Sequence, residues 1–422
     1  METIATGEHS TPPDKQPKLW TRDFSLITCA SALGAAGGIA SGFALEFFVF
    51  DETGSTLAAA LVVAIQLIPF TLVPLVVAPA MDRLPRKAFL VAGDAACGLA
   101  FLLLGLYLKL YEFSYVGYLV VSLAVAVLEA IDELAWTSIY PEVIPEGAEQ
   151  KGNAVSSMLF STLYVVMAPV AALLLDTIGV ANLLLIEGGL ALAAACIESL
   201  VHVEEHEREP REEQGLAAWV ADLRETGRYL RDEKGLMGLF GYMAFSNGLA
   251  TGYSPIMIAF FRTTPGLTTA MYAFFSVAEF VGRTVGSALQ YRVKIPREKR
   301  FGLCFMVYMV FDLMDTVLLW LSYPLMLANR AICGFLGSQS LILRSSGMQR
   351  YIPEHMRSRV NAFCDALIMA ACSAMALGIG ALGEVLDYRL CVTVCGLASL
   401  SAALFFVWRR RREVALVFEA AE

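Results

Sequence analysis

Long apolar runs alternate with short polar loops along this chain: 24–50, 57–80, 88–108, 114–138, 153–175 and 180–201, then a long polar segment, then 236–261, 269–290, 301–321, 324–343, 359–383 and 390–408. Each run is about as long as a helix needs to cross ~30 Å of hydrocarbon at ~1.5 Å per residue. The pattern predicts an all-α membrane protein of twelve transmembrane helices in two six-helix bundles. The expected divisions are a disordered tail over 1–22, a first bundle over 23–201, a linker over 202–235, a second bundle over 236–408 and a tail over 409–422.

The loops carry a repeat. Asp82-Arg83-Leu84-Pro85-Arg86-Lys87 follows the second run and is echoed by Lys294-Ile295-Pro296-Arg297 after the eighth. Ile144-Pro145-Glu146, followed by Asn153-Ala154, returns 208 residues later as Ile352-Pro353-Glu354, followed by Asn361-Ala362. Two loops recurring in order at nearly one offset, about half the chain length, indicate a duplicated unit and hence pseudo-symmetric halves. Lys and Arg gather in the loops on the side of the termini, and the opposite loops keep Lys109, Arg262 and Arg389. The positive-inside rule then predicts a multi-pass protein of the cell (inner) membrane with both termini cytoplasmic. The first 22 residues lack the apolar core of a cleaved signal, so the first span is expected to act as its own insertion signal.

Composition excludes several classes. Hydrophobic residues make up 57% of the chain, above the usual range for soluble proteins, which argues against a water-soluble enzyme. A net charge of −9, with the basic residues confined to loops, gives no surface for nucleic acid. The nine cysteines all fall in apolar runs without a CxxC pair and read as small buried hydrophobes, not a disulfide frame. His202-Val203-Glu204-Glu205-His206 matches the H-x-x-E-H pattern of inverted zinc peptidases but lies at a span end in an acidic linker, with no downstream cluster of ligands. Neither a metal nor a cofactor is expected. No span carries a histidine or a recognisable nucleophile and base, so an embedded enzyme is disfavoured.

Charged residues inside the spans are where chemistry is expected, because each is costly against lipid. Glu129, Asp132 and Glu133 share one face of the fourth span through their i, i+3, i+4 spacing. Glu279 and Arg283, four apart in the eighth, can pair with each other. Asp94, Asp312, Asp315 and Asp365 are further buried acids without an assigned role. Gly34, Gly38 and Gly42 leave a smooth face on the first span where another helix can approach. Asn247-Gly248 and Pro255 mark a flexing point in the seventh, and a surface helix is predicted around 216–230 in the linker.

With twelve spans in two halves, a charged loop after the second and a degenerate copy after the eighth, the chain resembles the major facilitator superfamily over about residues 20–410. Asp82-Arg83-Leu84-Pro85-Arg86-Lys87 is similar to its G-x-L-x-D-R-x-G-R-K/R signature, with Ala78 in place of the leading glycine and Pro85 in place of the inner one. Ala168-Pro169-Val170-Ala171-Ala172 looks like a glycine-depleted form of the G-P-x-x-G-G stretch of the superfamily's exporters. The segment from Ile352 to Asn361 looks like a loop of bacterial drug and siderophore exporters.

The resemblance implies a secondary active transporter whose first, fourth, seventh and tenth spans line a central cavity, the halves rocking about a midplane site. Glu129 and Asp132, with Glu133 beside them, become candidates for proton coupling, and Arg330 and Asn247 for substrate contact or charge pairing. Asp82, with Arg83, Arg86 and Lys87, becomes a gating loop in which Asp82 pairs near Arg359 and Asn361 at the start of the eleventh span. The expected activity is proton-coupled efflux of amphipathic small molecules, as in multidrug resistance, by an antiporter that works as a monomer in the bilayer. Export or flipping of an anionic siderophore or lysophospholipid, anchored by Arg330, is the alternative within transport. A transport-silent membrane sensor is the alternative of another class.

Overall fold

The computed structural model describes residues 18–81, 85–203, 216–292 and 295–419. Asp82 and Arg83 of the expected gating loop lie outside these residues. So do most of the N-terminal tail, Glu204 to His206 of the H-x-x-E-H string, Lys294 of the echoed loop and the last three residues.

The described residues are helical and contain no strand. In the first half α1 (Arg22–Thr53), α2 (Thr56–Met81), α3 (Arg86–Leu110) and α4 (Tyr115–Val143) are followed by α5 (Glu149–Ser199). The 51 residues of α5 form two arms, because Gly179 at φ 77° and ψ 165° takes a conformation closed to residues with a Cβ and reverses the chain. The two arms are the fifth and sixth predicted spans. The linker helix α6 (Leu216–Asp232) leads into α7 (Lys234–Thr263), α8 (Thr269–Arg292), α9 (Arg297–Val317), α10 (Tyr323–Tyr351), α11 (Glu354–Gly383) and α12 (Tyr388–Ala402), which continues as a π-helical turn over Ala403–Trp408.

Eight helices among the described residues are long and apolar enough to cross a membrane by themselves. With the second arm of α5, and with α7, α8 and α10, which have the length but more polar residues, the architecture is consistent with twelve crossings. The segment after Trp408 is not a loose tail. Arg411–Glu419 forms α13, whose Val414, Val417 and Phe418 are buried in the core that α7, α9 and α10 share.

Glycine permits the closest helix pairs. A Cβ on Gly282 of α8 would lie 1.8 Å from the Ala331 carbonyl oxygen of α10, and one on Gly334 of α10 would lie 2.0 Å from the Glu279 carbonyl oxygen of α8. The two backbones therefore touch, the small-residue packing that membrane helices use where no hydrophobic effect drives association.

The halves meet at the end of the bundle away from the linker and termini, called the far end below. Phe47 and Phe50 of α1 share a core with Ile258 and Ala259 of α7. Ala168 and Ala172 of α5 lie against Ala273 of α8. Arg262 of α7 pairs with Asp51 of α1 at 2.6 Å. Between α2 and α11, Thr56 Oγ1 donates to the Gly380 carbonyl at 2.9 Å. Glu384, just beyond α11, accepts from Ser55 Oγ at 2.8 Å, Thr56 Oγ1 at 3.1 Å and Leu57 N–H at 3.0 Å. Glu384 thus caps the N-terminus of α2 from the opposite half. The Leu57 N–H, with the two hydroxyls, holds its carboxyl below the usual range, a charged acceptor being favoured at a helix N-terminus.

Candidate functional site

Two cavities lie within the bundles. One, of about 60 Å³, sits between the halves beneath the far-end contacts and is walled by α1, α2, α4 and α7. Its polar groups are Glu46, Gln66, Tyr118 and Ser254, among side chains such as Val49, Val62 and Ile258. Glu46 reaches this space because it follows Gly42 by one helical turn on the same face of α1.

The second, of about 200 Å³, lies inside the first half and takes its lining from α1, α3, α4 and both arms of α5. Six carboxylates face it: Asp94 from α3, Glu129, Asp132 and Glu133 from α4, and Glu187 and Glu198 from the second arm of α5. Trp136, Phe101 and Phe160 supply aromatic walls, and Ser31 with small residues of α1, Cys97 and Ala191 complete the described lining. Among the described residues, no Lys, Arg or His lines the space. Glu187 is 4% exposed and Glu198 3%. One oxygen of each, and Oδ1 of Asp132, has no hydrogen-bond partner. Such groups are costly to bury unless a proton or a bound cation neutralises them.

Local packing sets the cavity's shape. Gly37 of α1 leaves the room that the Glu187 carboxylate occupies, because a Cβ there would fall 1.8 Å from Glu187 Oε2. By contrast, a Cβ on Gly34 or Gly42 would meet nothing within 4 Å. The expected close helix approach along Gly34, Gly38 and Gly42 is therefore corrected: Gly34 and Gly38 open onto the acidic cavity and Gly42 onto the cavity between the halves. Trp136 is fixed by donating Nε1–H to Ser31 Oγ at 2.9 Å and by stacking on Tyr140 at 4.7 Å between centroids.

The second half has a polar core of another kind. Arg330 Nη2 donates to Asp315 and to Asn329 Oδ1, an ion pair shielded from solvent. Tyr253 OH donates to the same Asp315 at 3.3 Å, and Asp312 accepts from Ser399 Oγ at 2.9 Å and Tyr242 OH at 3.2 Å. Here one of two buried acids has a basic partner, whereas the first-half cavity has acids alone among its described lining residues.

The structure thus gathers Glu129, Asp132 and Glu133 in one cavity and keeps Arg330 in the other half. Asn247 is exposed on α7, with Nδ2 donating to the Met243 carbonyl at 2.8 Å, and α7 runs unbroken through Asn247, Gly248 and Pro255. Of the loop's basic residues, Arg86 pairs with Glu142 at 2.7 Å and Lys87 Nζ donates to the Ser199 carbonyl at 2.7 Å. Arg359, the expected neighbour of Asp82, pairs with Glu225 of α6 at 2.9 Å. Glu279 and Arg283 pair at 2.5 Å as their spacing predicts. No group of three or more His, Cys, Asp or Glu is arranged to hold a metal ion among the described residues.

Three cavity acids escaped the sequence reading. Glu187 and Glu198 stand eleven residues apart, three helical turns on one face of an otherwise apolar run, and Glu46 is the lone charge of the apolar run 24–50. An intramembrane acid is by itself a signal, and these three carried it.

The fold has known counterparts. The crystal structure of the nucleoside transporter NupG superposes with a TM-score of 0.71 at 10% identity, covering 91% of this chain and 98% of that one. The peptide transporter POT, in complex with alafosfalin, gives 0.68 at 12% identity, covering 95% and 97%. At such identities the likeness shows the fold alone. No curated relative matches the sequence. The family model of the Major Facilitator Superfamily matches residues 26–319, and with two helical halves around a central contact the chain belongs to that superfamily of membrane transporters.

Proposed function

We propose that this transporter is a proton-coupled exporter of amphipathic small molecules, working as a monomer in the cell membrane with both termini cytoplasmic. The observation that carries the reading is the acidic cavity of the first half, where buried carboxylates stand without a cationic partner. In a low-dielectric site a carboxyl is kept by taking up a proton, and it releases that proton when water or a positive ligand reaches it. Glu129 and Asp132 are the carriers, and Glu133, exposed beside them, connects them to water. Glu46 offers a carboxyl to cargo held between the halves. Cargo entering that space displaces protons, the far-end contacts open, and the return stroke reloads the acids.

Two features support the amphipathic, outward-moving cargo. The cavity between the halves mixes four polar groups with aliphatic walls. The stretch that resembles the exporter signature, Ala168 to Ala172, lies at the contact between the halves, against Ala273. Against the anionic alternative, Nη2 of Arg330 is engaged by Asp315 and Asn329, although its Nε has no partner.

The test is proton release from purified protein in detergent on adding ethidium or a neutral amphipath, for the natural chain and for Glu129→Gln and Asp132→Asn. Release that disappears in either variant is the expected result. Binding without proton release, unchanged in both variants, would overturn the mechanism.

A further inference from the structure

We infer that the groove around Arg389, at the far end of the second half, binds the headgroup of an anionic phospholipid whose chains run down the seam between α9 and α12. The inference is independent of the cargo and of the protons in the first half. Charge, depth in the membrane and the apolar surface below the groove point to the same occupant.

The groove is an open cavity of about 470 Å³. Three helix ends wall it: Phe260, Thr263 and Thr264 where α7 stops, Trp320 just beyond α9, and Asp387 to Leu390 where α12 starts. Arg389 stands between two rings, its guanidinium carbon 5.6 Å from the centroid of Phe260 and 5.6 Å from that of Trp320. Phe260 is buried, and Trp320 is fixed by donating Nε1–H to Thr393 Oγ1 of α12 at 2.9 Å, so the two rings hold the arginine in place. Among the described residues its guanidinium has neither an ion pair nor a hydrogen bond, whereas Arg262, also at the far end, is paired with Asp51. One acid lines the groove. Asp387 accepts from the Arg389 backbone N–H at 2.9 Å as the cap of α12, where the positive end of the helix offsets its charge. A positioned guanidinium with open donors matches a phosphate diester, whose oxygens it can take in pairs.

The depth fits a headgroup. Three spans end at the groove, so it lies where hydrocarbon gives way to the polar layer, the level at which Trp and Tyr gather. Trp320, 55% exposed, and Tyr388 take that place. From there two exposed aliphatic stripes lead toward the midplane. Val317, Leu313 and Val310 form one on α9, and Leu390, Val394 and Leu397 form the other on α12, each at the three- and four-residue spacing of a single helical face. A Cβ on Gly396 of α12 would collide with Thr316 of α9, so the two helices are in close contact and the stripes flank one seam. Either stripe descends ~10 Å at ~1.5 Å per residue, enough to guide the upper part of an acyl chain. A soluble phosphate would leave this surface uncovered; a phospholipid covers it and pairs Arg389 at once.

The experiment is native mass spectrometry of the full-length protein in detergent, titrated with phosphatidylglycerol. Phosphatidylcholine and phosphatidylethanolamine of the same chains are parallel arms, and glycerol 3-phosphate is the headgroup without chains. The expected result is one phosphatidylglycerol bound in preference to either zwitterionic lipid, with affinity about tenfold weaker in Arg389→Gln, since a charged hydrogen-bond partner is removed. Arg389→Lys should fall between, because the charge remains without the planar fork. Trp320→Leu keeps the charge but frees the arginine; it should weaken binding by less, and it carries the test should Arg389→Gln not fold. Lys109→Gln removes a different far-end cation and should leave binding unchanged. Equal binding by the natural chain and Arg389→Gln, or an equal loss in Lys109→Gln, overturns the site. Equal binding of the zwitterionic lipids overturns the choice of an anionic headgroup. Displacement of phosphatidylglycerol by glycerol 3-phosphate at matching concentration would mark a site for soluble anions and overturn the lipid.

Discussion

Removing the Glu384 carboxylate should loosen the far end. It accepts from Ser55, Thr56 and the Leu57 N–H, so from the opposite half it caps the Leu57 N–H of α2 and holds Ser55, whose Oγ itself accepts from the Ala58 N–H at 3.0 Å. Loss of a helix N-cap costs about 0.5–2 kcal/mol and loss of a charge at a helix N-terminus about 0.3–1 kcal/mol. Glu384 is largely exposed, so solvent screening places the sum near the lower bound, about 1 kcal/mol. Because the interaction exists only while the halves touch there, the whole of it weights one conformation, and its loss shifts the closed-to-open ratio about fivefold. Spin labels at Glu52 and Val385, one in each half, report the separation by pulsed electron resonance. Glu384→Ala should raise the long-distance population, with Glu384→Gln between it and the natural chain. The sign with pH follows from the lowered carboxyl: its contribution is complete above the ordinary carboxylate range and is lost as pH falls through the depressed value, so acidifying the far side opens this mouth. An identical distance distribution in all three proteins, at neutral and acid pH, would refute the reasoning.

Gly37→Ala must displace the Glu187 carboxylate, the swinging end of a flexible side chain, so its melting temperature should stay close to that of the natural chain while proton release is altered; a large drop in the melting temperature would show that Glu187 cannot move. Gly282→Ala and Gly334→Ala meet backbone carbonyls instead, and each should cost at least about 1–3 kcal/mol in a thermal melt, with a near-natural melting temperature counting against the close α8–α10 contact. Asp315→Ala leaves Arg330 buried without its counter-ion and should destabilise by about 3–5 kcal/mol, whereas Asp315→Leu with Arg330→Met should recover most of that; equal effects would mean the pair is not coupled. Asp51→Asn removes a partly exposed pair and should change the melting temperature little, with its effect fading in high salt.

The twelve runs were legible because lipid forces each crossing segment to satisfy its own backbone, leaving a length and an apolarity that can be read directly. The reversal inside α5 was legible too, since Gly179 interrupts the run between 175 and 180. Clustering was not. Spacing places Glu129, Asp132 and Glu133 on one face, but that Asp94, Glu187 and Glu198 meet them depends on how α3 and α5 rotate about α1, which is set by contacts such as that at Gly98, where an added Cβ would lie 3.0 Å from the Gly188 carbonyl oxygen. The glycine ladder on α1 misled for the same reason: spacing marks a smooth face without saying whether helix or empty space lies opposite. Arg330 sat in the second half on either reading, yet its partner came from α9, fifteen residues earlier, through tertiary packing that no local pattern encodes.

Two kinds of contact between helices divide the labour of movement. Where Gly282 and Gly334 bring the backbones of α8 and α10 together, no side chain separates them, so the pair behaves as one stiff rod. Where Ala168 and Ala172 of α5 meet Ala273 of α8, methyl groups oppose one another, with Phe43 packed beside them. Sliding of the alanines past each other requires no rotamer of their own to change. The rod therefore rides on a smooth bearing, and friction between the halves is concentrated in the polar latches at the far end, whose release would set the pace of each stroke.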